Sequence, residues 1–185
     1  MANLVQLYVE GKSDKVFFEG AKFKEFATKL GYVVRVKNLK TRGNVLTNCE
    51  KYLKLSGKNT YASLLVYDKD QEDLDISPVE KIIKKYDKTF QCVAIQELEA
   101  WFLADHEELK KISRDTTLHT DTQCIAKPKE HLRKIFSKAG KGHKTENGLA
   151  EHFANKIDLL NARAHNKSLD KFLRLFEGKF IEKGR

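Results

Sequence analysis

Four short apolar segments, each followed by an amphipathic one, restrict what this chain can fold into. "LVQLYV" (4–9), "YVVRV" (32–36), "ASLLVY" (62–67) and "TFQCVAI" (89–95) are β-prone and short, and they read as strands. Between them run stretches with helical spacing. Val16, Gly20, Phe23, Ala27 and Leu30 make one apolar stripe, which predicts a single helix capped by Ser13, with Asp14 in its first turn and Gly31 closing it. Residues 44–55 and 77–86 predict two more helices, the second with a proline near its first turn. Strands alternating with helices predict an α/β layer around a mostly parallel sheet.

Beyond about residue 96 the pattern changes. Residues 98–105 predict a short, very apolar helix, and the polar run 113–123 predicts a loop. Helices follow at about 128–138 and 146–154, then at 169–176, where Leu169, Phe172, Leu173 and Phe176 share a face. The expected organisation is an α/β core over 1–105 and a helical, basic part over 106–185, packed together as one compact unit. No internal repeat or low-complexity tract interrupts it.

The chain has 185 residues and a formal net charge of +9, which makes a polyanion the leading class of partner. Cys49, Cys92 and Cys124 are odd in number and lack zinc-finger spacing, so free thiols in a reducing cytoplasm are expected. The first residues do not read as a signal peptide, and no apolar run approaches a membrane span. A soluble protein without a membrane partner is therefore expected.

The acids fall in a pattern. In "LYVEGKSDK" (7–15), Gly11-Lys12-Ser13 looks like the tail of a phosphate loop, but the glycine needed five positions earlier is Gln6, which excludes that motif. What remains is Glu10, at the end of the first strand. The third strand runs into "YDKDQED", with Asp68 and Asp70 just beyond it and Glu72 and Asp73 behind. The fourth runs into "IQELEAW", with Glu97 and Glu99. Parallel strands bring their carboxyl ends to one crevice, and an extended Asp-x-Asp sends both carboxylates to one face. Each acid has an ordinary reading as a solvated side chain, an acidic turn or the first turn of a helix. Acids delivered by three strands to one sheet edge favour a cation, and grouped oxygen ligands suit Mg2+ or Mn2+.

"YVEGKSDKVFF" and "LLVYDKD" resemble the two signature motifs of the TOPRIM fold, shared by topoisomerases, primases and OLD-type nucleases. "AIQELEAWFLAD" and "ARAHNKSLDKFL" (162–173) resemble later blocks of small standalone TOPRIM-like proteins of bacteria and archaea. The resemblance implies a Rossmann-like, mostly parallel sheet flanked by helices, with a helical basic C-terminal extension. It implies a nuclease, a phosphodiesterase using one or two Mg2+ or Mn2+ ions. Asp68 and Asp70 would be metal ligands, and Glu10 a general base or shared ligand. Glu97 or Glu99, with Asp14, would complete a second metal site. Gln71 stands where many relatives carry a third acid. The resemblance also implies an ATPase partner in anti-phage defence, and leaves room for a homodimer.

Lys12, one residue past Gly11, is a candidate to meet a phosphate oxygen, or else is simply solvated. In the basic segment 127–144, Lys127, Lys129, Arg133, Lys134, Lys138, Lys141 and Lys144 form a candidate nucleic-acid track for DNA or RNA. Arg35, Lys37, Lys40 and Arg42 form a second patch, of which Arg42 is the candidate contact. Trp101, Phe102 and Leu103 read as core rather than a stacking platform. His119, His131, His143, His152 and His165 show no paired metal spacing, and His143 is the candidate proton donor. Asn166 and Ser168 are expected to cap the last helix. The competing reading is a non-catalytic module that binds nucleic acid or a partner protein. A primase-like transferase is disfavoured, because nothing resembles a separate template domain.

Overall fold

The computed structural model describes residues 2–56, 59–69, 75–142, 144–178 and 180. Its strands β1 (Asn3–Val9), β2 (Tyr32–Asn38), β3 (Thr60–Lys69) and β4 (Thr89–Ile95) form one all-parallel sheet in the order β2-β1-β3-β4. The side chains of the inner strands β1 and β3 alternate between two largely buried faces, whereas the edge strands β2 and β4 are more open on one side. Val5, Leu7 and Val9 stand level with Ala62, Leu64 and Val66, and those with Phe90 and Cys92 beyond, on one face. Tyr8, Leu65 and Tyr67 point to the other. Apolar residues on both faces explain why β1 and β3 read as nearly continuous apolar runs.

The strand order fixes where the helices lie. The chain steps one way from β1 to β2 and the opposite way from β2 to β3 and β3 to β4. Right-handed crossovers then put the first connection on one face and the later two on the other. Accordingly α1 (Lys12–Phe18) and α2 (Ala21–Lys29) cover one face, while α3 (Arg42–Lys54) and α4 (Ser77–Ile83) cover the opposite face through Val45, Cys49, Leu53, Val79 and Ile83. After β4 come α5 (Glu99–Leu103), α6 (His106–Ile112), α7 (Pro128–Lys138), α8 (Glu146–Lys156), α9 (Leu159–Ala162) and α10 (Lys167–Glu177). They add their apolar sides to the face that carries α1 and α2. Phe172 packs on Phe18 at 5.3 Å and Phe176 on Phe23 at 5.4 Å between ring centroids, so the N-terminal and C-terminal parts share one core.

Several elements differ from the sequence expectation. The stripe from Val16 to Leu30 belongs to two helices, broken at Glu19 and Gly20. A Cβ on Gly20 would overlap the Cβ of Ala154 and lie 2.7 Å from its carbonyl oxygen, so α8 crosses there too closely for a side chain. Gly11, not Ser13, is the N-cap of α1. β3 runs on to Lys69, which places Asp68 within the strand. Helix α6, capped by the Asp105 carboxylate on the Glu108 N–H at 3.1 Å, was not expected at all. Asn166 does cap α10, accepting from the Leu169 N–H at 2.9 Å. Ser168 instead ties α10 to the core, since its hydroxyl accepts from Trp101 Nε1–H at 2.8 Å and donates to Asn166 Oδ1 at 2.8 Å. Trp101, Phe102 and Leu103 are core residues. All three cysteines are free, Cys124 exposed and the other two buried. Among the described residues no helix is long and apolar enough to cross a membrane.

Candidate functional site

β1 and β3 lie side by side, yet the chain leaves their carboxyl ends toward opposite edges of the sheet. Backbones diverging in this way open a crevice, the usual place for a ligand in an open α/β sheet. Acids surround it. Glu10 follows β1, and its Oε2 accepts from the Asp68 N–H at 3.4 Å, joining the two strand ends. Asp68 lies on the α1 side of the sheet by strand alternation, and its Oδ1 accepts from the Leu98 N–H at 3.0 Å. Asp14 reaches back from the first turn of α1 to the Gly11 N–H at 2.8 Å, which fixes the turn after Glu10. Beyond β4, Gln96 takes a positive φ of 67° and its N–H bonds the Lys69 carbonyl at 3.1 Å. That left-handed residue turns the chain so that Glu97 and Glu99 come back over the strand ends. A non-glycine residue held there is the kind of backbone strain that collects at functional sites.

One cation enters this group from α7. The Lys129 N–H donates to Glu97 Oε2 at 3.1 Å, and its Nζ lies 3.3 Å from Glu97 Oε1 and 3.3 Å from Glu146 Oε1. Burial works against its charge, but Glu99, Glu97 and Glu146 outweigh burial and push its pKa up. The acids pay for their crowding. Burial, then the negative charges of Asp14, Glu99, Glu10 and Glu97, hold Asp68 well above the usual carboxylate range. Burial raises Glu99 to about 7, with Lys129 pulling down and Glu97 and Asp14 pushing up. Asp14 is raised by burial too, partly offset by the Gly11 N–H, Ser13 and Lys129. Such a group favours either a bound proton or a bound cation.

Two solved structures are similar to this chain. The C-terminal region of the Burkholderia pseudomallei OLD protein is similar over 98% of this chain and 100% of that one, at 16% identity and a TM-score of 0.48. The C-terminal region of the Xanthomonas campestris pv. campestris OLD protein is similar over 95% of each chain, at 17% identity and a TM-score of 0.46. No protein-family model and no curated protein matches this chain. At such identities no residue's role passes from those structures to this chain.

Of the residues singled out in the sequence, Glu10, Asp14, Asp68, Glu97 and Glu99 come together. Asp70, Glu72, Asp73 and His143 lie outside the described residues. Among the described residues no three acid, imidazole or thiol groups are placed to hold a metal ion as they stand. Lys12 is exposed at the start of α1, beside the crevice. The expected basic track divides in two. Lys129 faces the acids, and Arg133 lies 3.9 Å from Glu146 and donates to the Lys144 carbonyl at 3.3 Å. Lys144 itself stands over the Phe136 ring. Lys127, Lys134, Lys138 and Lys141 are exposed, Lys127 pairing with Glu130 and Lys141 reaching the Lys111 carbonyl. Arg42 opens α3 at the carboxyl end of β2, whereas Arg35 and Lys37 belong to that strand itself. They line a separate groove of about 430 Å3 with Tyr8 and Tyr52, which none of the five acids borders. Sequence reading missed Glu146. Its signal was an acid directly after Thr145, at the start of a helix, within reach of a basic helix only once the chain is folded.

Proposed function

We propose that this protein is a metal-dependent phosphodiesterase acting on DNA or RNA, with its site at the carboxyl ends of β1, β3 and β4. One observation carries the reading: Glu10, Asp14, Asp68, Glu97 and Glu99 crowd one crevice, where burial and then repulsion drive the carboxyls of Asp68 and Glu99 upward and burial alone raises that of Asp14. The donors are all oxygens, without thiol or imidazole, and so fit a hard ion such as Mg2+ or Mn2+. Asp68, Glu10 and Asp14, with Glu97 or Glu99, would hold one or two such ions after a small inward movement of their carboxylates, with Asp70 added from the resemblance. A divalent ion there supplies Lewis-acid activation of a phosphate oxygen and of water.

The chain's own groups do the rest. Glu10, whose carboxylate joins the two strand ends, would act as general base or as a shared ligand. Lys12 at the mouth of the crevice can neutralise charge on a phosphate oxygen. Exposed Lys127, Lys134, Lys138 and Lys141, with Arg42, supply phosphate contacts that do not read bases. The resemblance adds an ATPase partner, a defence setting and a cytoplasmic location to the same proposal.

The test is cleavage of supercoiled plasmid, single-stranded DNA and transfer RNA with Mg2+ or Mn2+, by wild type and by Glu10→Ala and Asp68→Asn. Cleavage that disappears in both variants supports the proposal and names the substrate. Cleavage that survives them refutes the site. The second reading, a module that binds without hydrolysis, is favoured by the way Lys129 already neutralises Glu97. Retained binding with no cleavage by any of the three proteins would select it.

A further inference from the structure

Lys129 is placed between two carboxylates of different character. Glu97 belongs to the crevice and has 23% of its side chain exposed, while Glu146, at the start of α8, has 52% exposed. The ammonium lies 3.3 Å from each. Both oxygens of Glu97 are engaged by this one residue, Oε1 by its ammonium and Oε2 by its N–H. The N–H sits in the first turn of α7, a helix anchored in the core by Leu132, Ile135 and Phe136. The backbone contact is therefore fixed, whereas the four-carbon side chain can swing outward about it.

We propose that Lys129 is a tethered counter-ion which a divalent metal must displace, and that Glu146 is the outer carboxylate that receives it. The proposal rests on the metal-site reading above. A monovalent ammonium and a divalent ion drawn to the same acids repel each other, so occupancy by one lowers affinity for the other. Glu146 eases the exchange by giving the ammonium a partner outside the crevice. Arg133, 3.9 Å from the same Glu146 oxygen, competes for that outer place and limits how firmly it holds Lys129. The device would keep the acids neutralised until metal arrives.

Two substitutions then move metal affinity in opposite directions, which a merely structural role would not do. The measurement is Mn2+ binding to the full chain, by calorimetry and by the electron spin resonance of free Mn2+. It is made at pH 8, above the value near 7 of Glu99. Lys129→Met is expected to bind Mn2+ at least ~10-fold more tightly than wild type, because the competing charge is gone. Glu146→Gln is expected to bind several-fold more weakly, because the ammonium has only Glu97 left. Lys129→Arg keeps the charge and is expected to stay near wild type. Thermal melts in EDTA establish that each variant is folded. If Lys129→Met binds no tighter, or Glu146→Gln no more weakly, while Asp68→Asn abolishes binding, the counter-ion proposal falls and the metal site stands. If wild type takes up no Mn2+, or Asp68→Asn takes up as much as wild type, both fall.

Discussion

Replacing Glu99 by glutamine should stabilise the metal-free protein at pH 8 and leave it little changed near pH 5. Glu99 has only 4% of its surface exposed, and its pKa moves from an ordinary 4.5 to about 7 on folding. The sign follows from which state binds the proton more firmly. Between about 4.5 and 7 the folded chain keeps a proton that the unfolded chain has released, so this carboxyl makes stability fall as pH rises through that window. Above 7 it is ionised in both states, and the folded state carries the full penalty. The gap corresponds to about 3 kcal/mol, or roughly 6–12 °C in Tm for a chain of this size. Glutamine has the same shape and no charge to bury, so it removes the penalty. His106, His131 and His152 have lowered pKa values, chiefly through burial, and their contribution is lost as pH falls from about 6.5. Both proteins share that opposite slope, so it cancels in the difference between them. The assay is urea unfolding in EDTA across pH 5–8 for wild type and Glu99→Gln. A difference that does not change with pH would refute the reasoning. Mn2+ added at pH 8 should stabilise wild type more than the variant and so reverse their order.

Two further substitutions test the packing. Gly20→Ala places a methyl group against Ala154 and should cost about 1–3 kcal/mol; Ala154→Gly in the same chain should restore most of it, a coupling readable from a thermal double-mutant cycle. Ser168→Ala leaves the Trp101 N–H without its acceptor inside the core and should cost about 1–3 kcal/mol; urea melts followed by the fluorescence of this single tryptophan would check it.

The parts that could be read from the sequence share a physical reason. The inner strands β1 and β3 were visible because both faces are largely buried, which leaves an apolar run such as "ASLLVY", and the edge strands β2 and β4 through their valines, isoleucine and aromatics at alternating positions. Glu10 and Asp68 were visible because strand ends are visible, and in a parallel sheet those ends meet. The break at Gly20 was hidden, since its cause is Ala154, a residue remote in sequence that lies against it only in the folded chain. Helix α6 was hidden by its own polarity: Glu107, Lys110 and Lys111 face water, and Leu109 and Ile112 alone are too sparse a stripe. The segment 127–144 shows most plainly where reading by charge stops. Its cations look alike in sequence, and only the folded helix separates Lys129, turned toward Glu97, from Lys138, turned to solvent.

The phenylalanines of α10 have a consequence for the order in which the molecule can be completed. Phe172 and Phe176 close over Phe18, Phe23, Tyr32 and Trp101, which are supplied by the first helices, the edge strand and α5. These contacts join opposite ends of the sequence, a topology that slows folding and postpones its last step. On the ribosome, the aromatic side of α1 and α2 must wait until α10 has been synthesised before it is covered. A product stopped at residue 105 would present those rings to water, where chaperones and proteases bind.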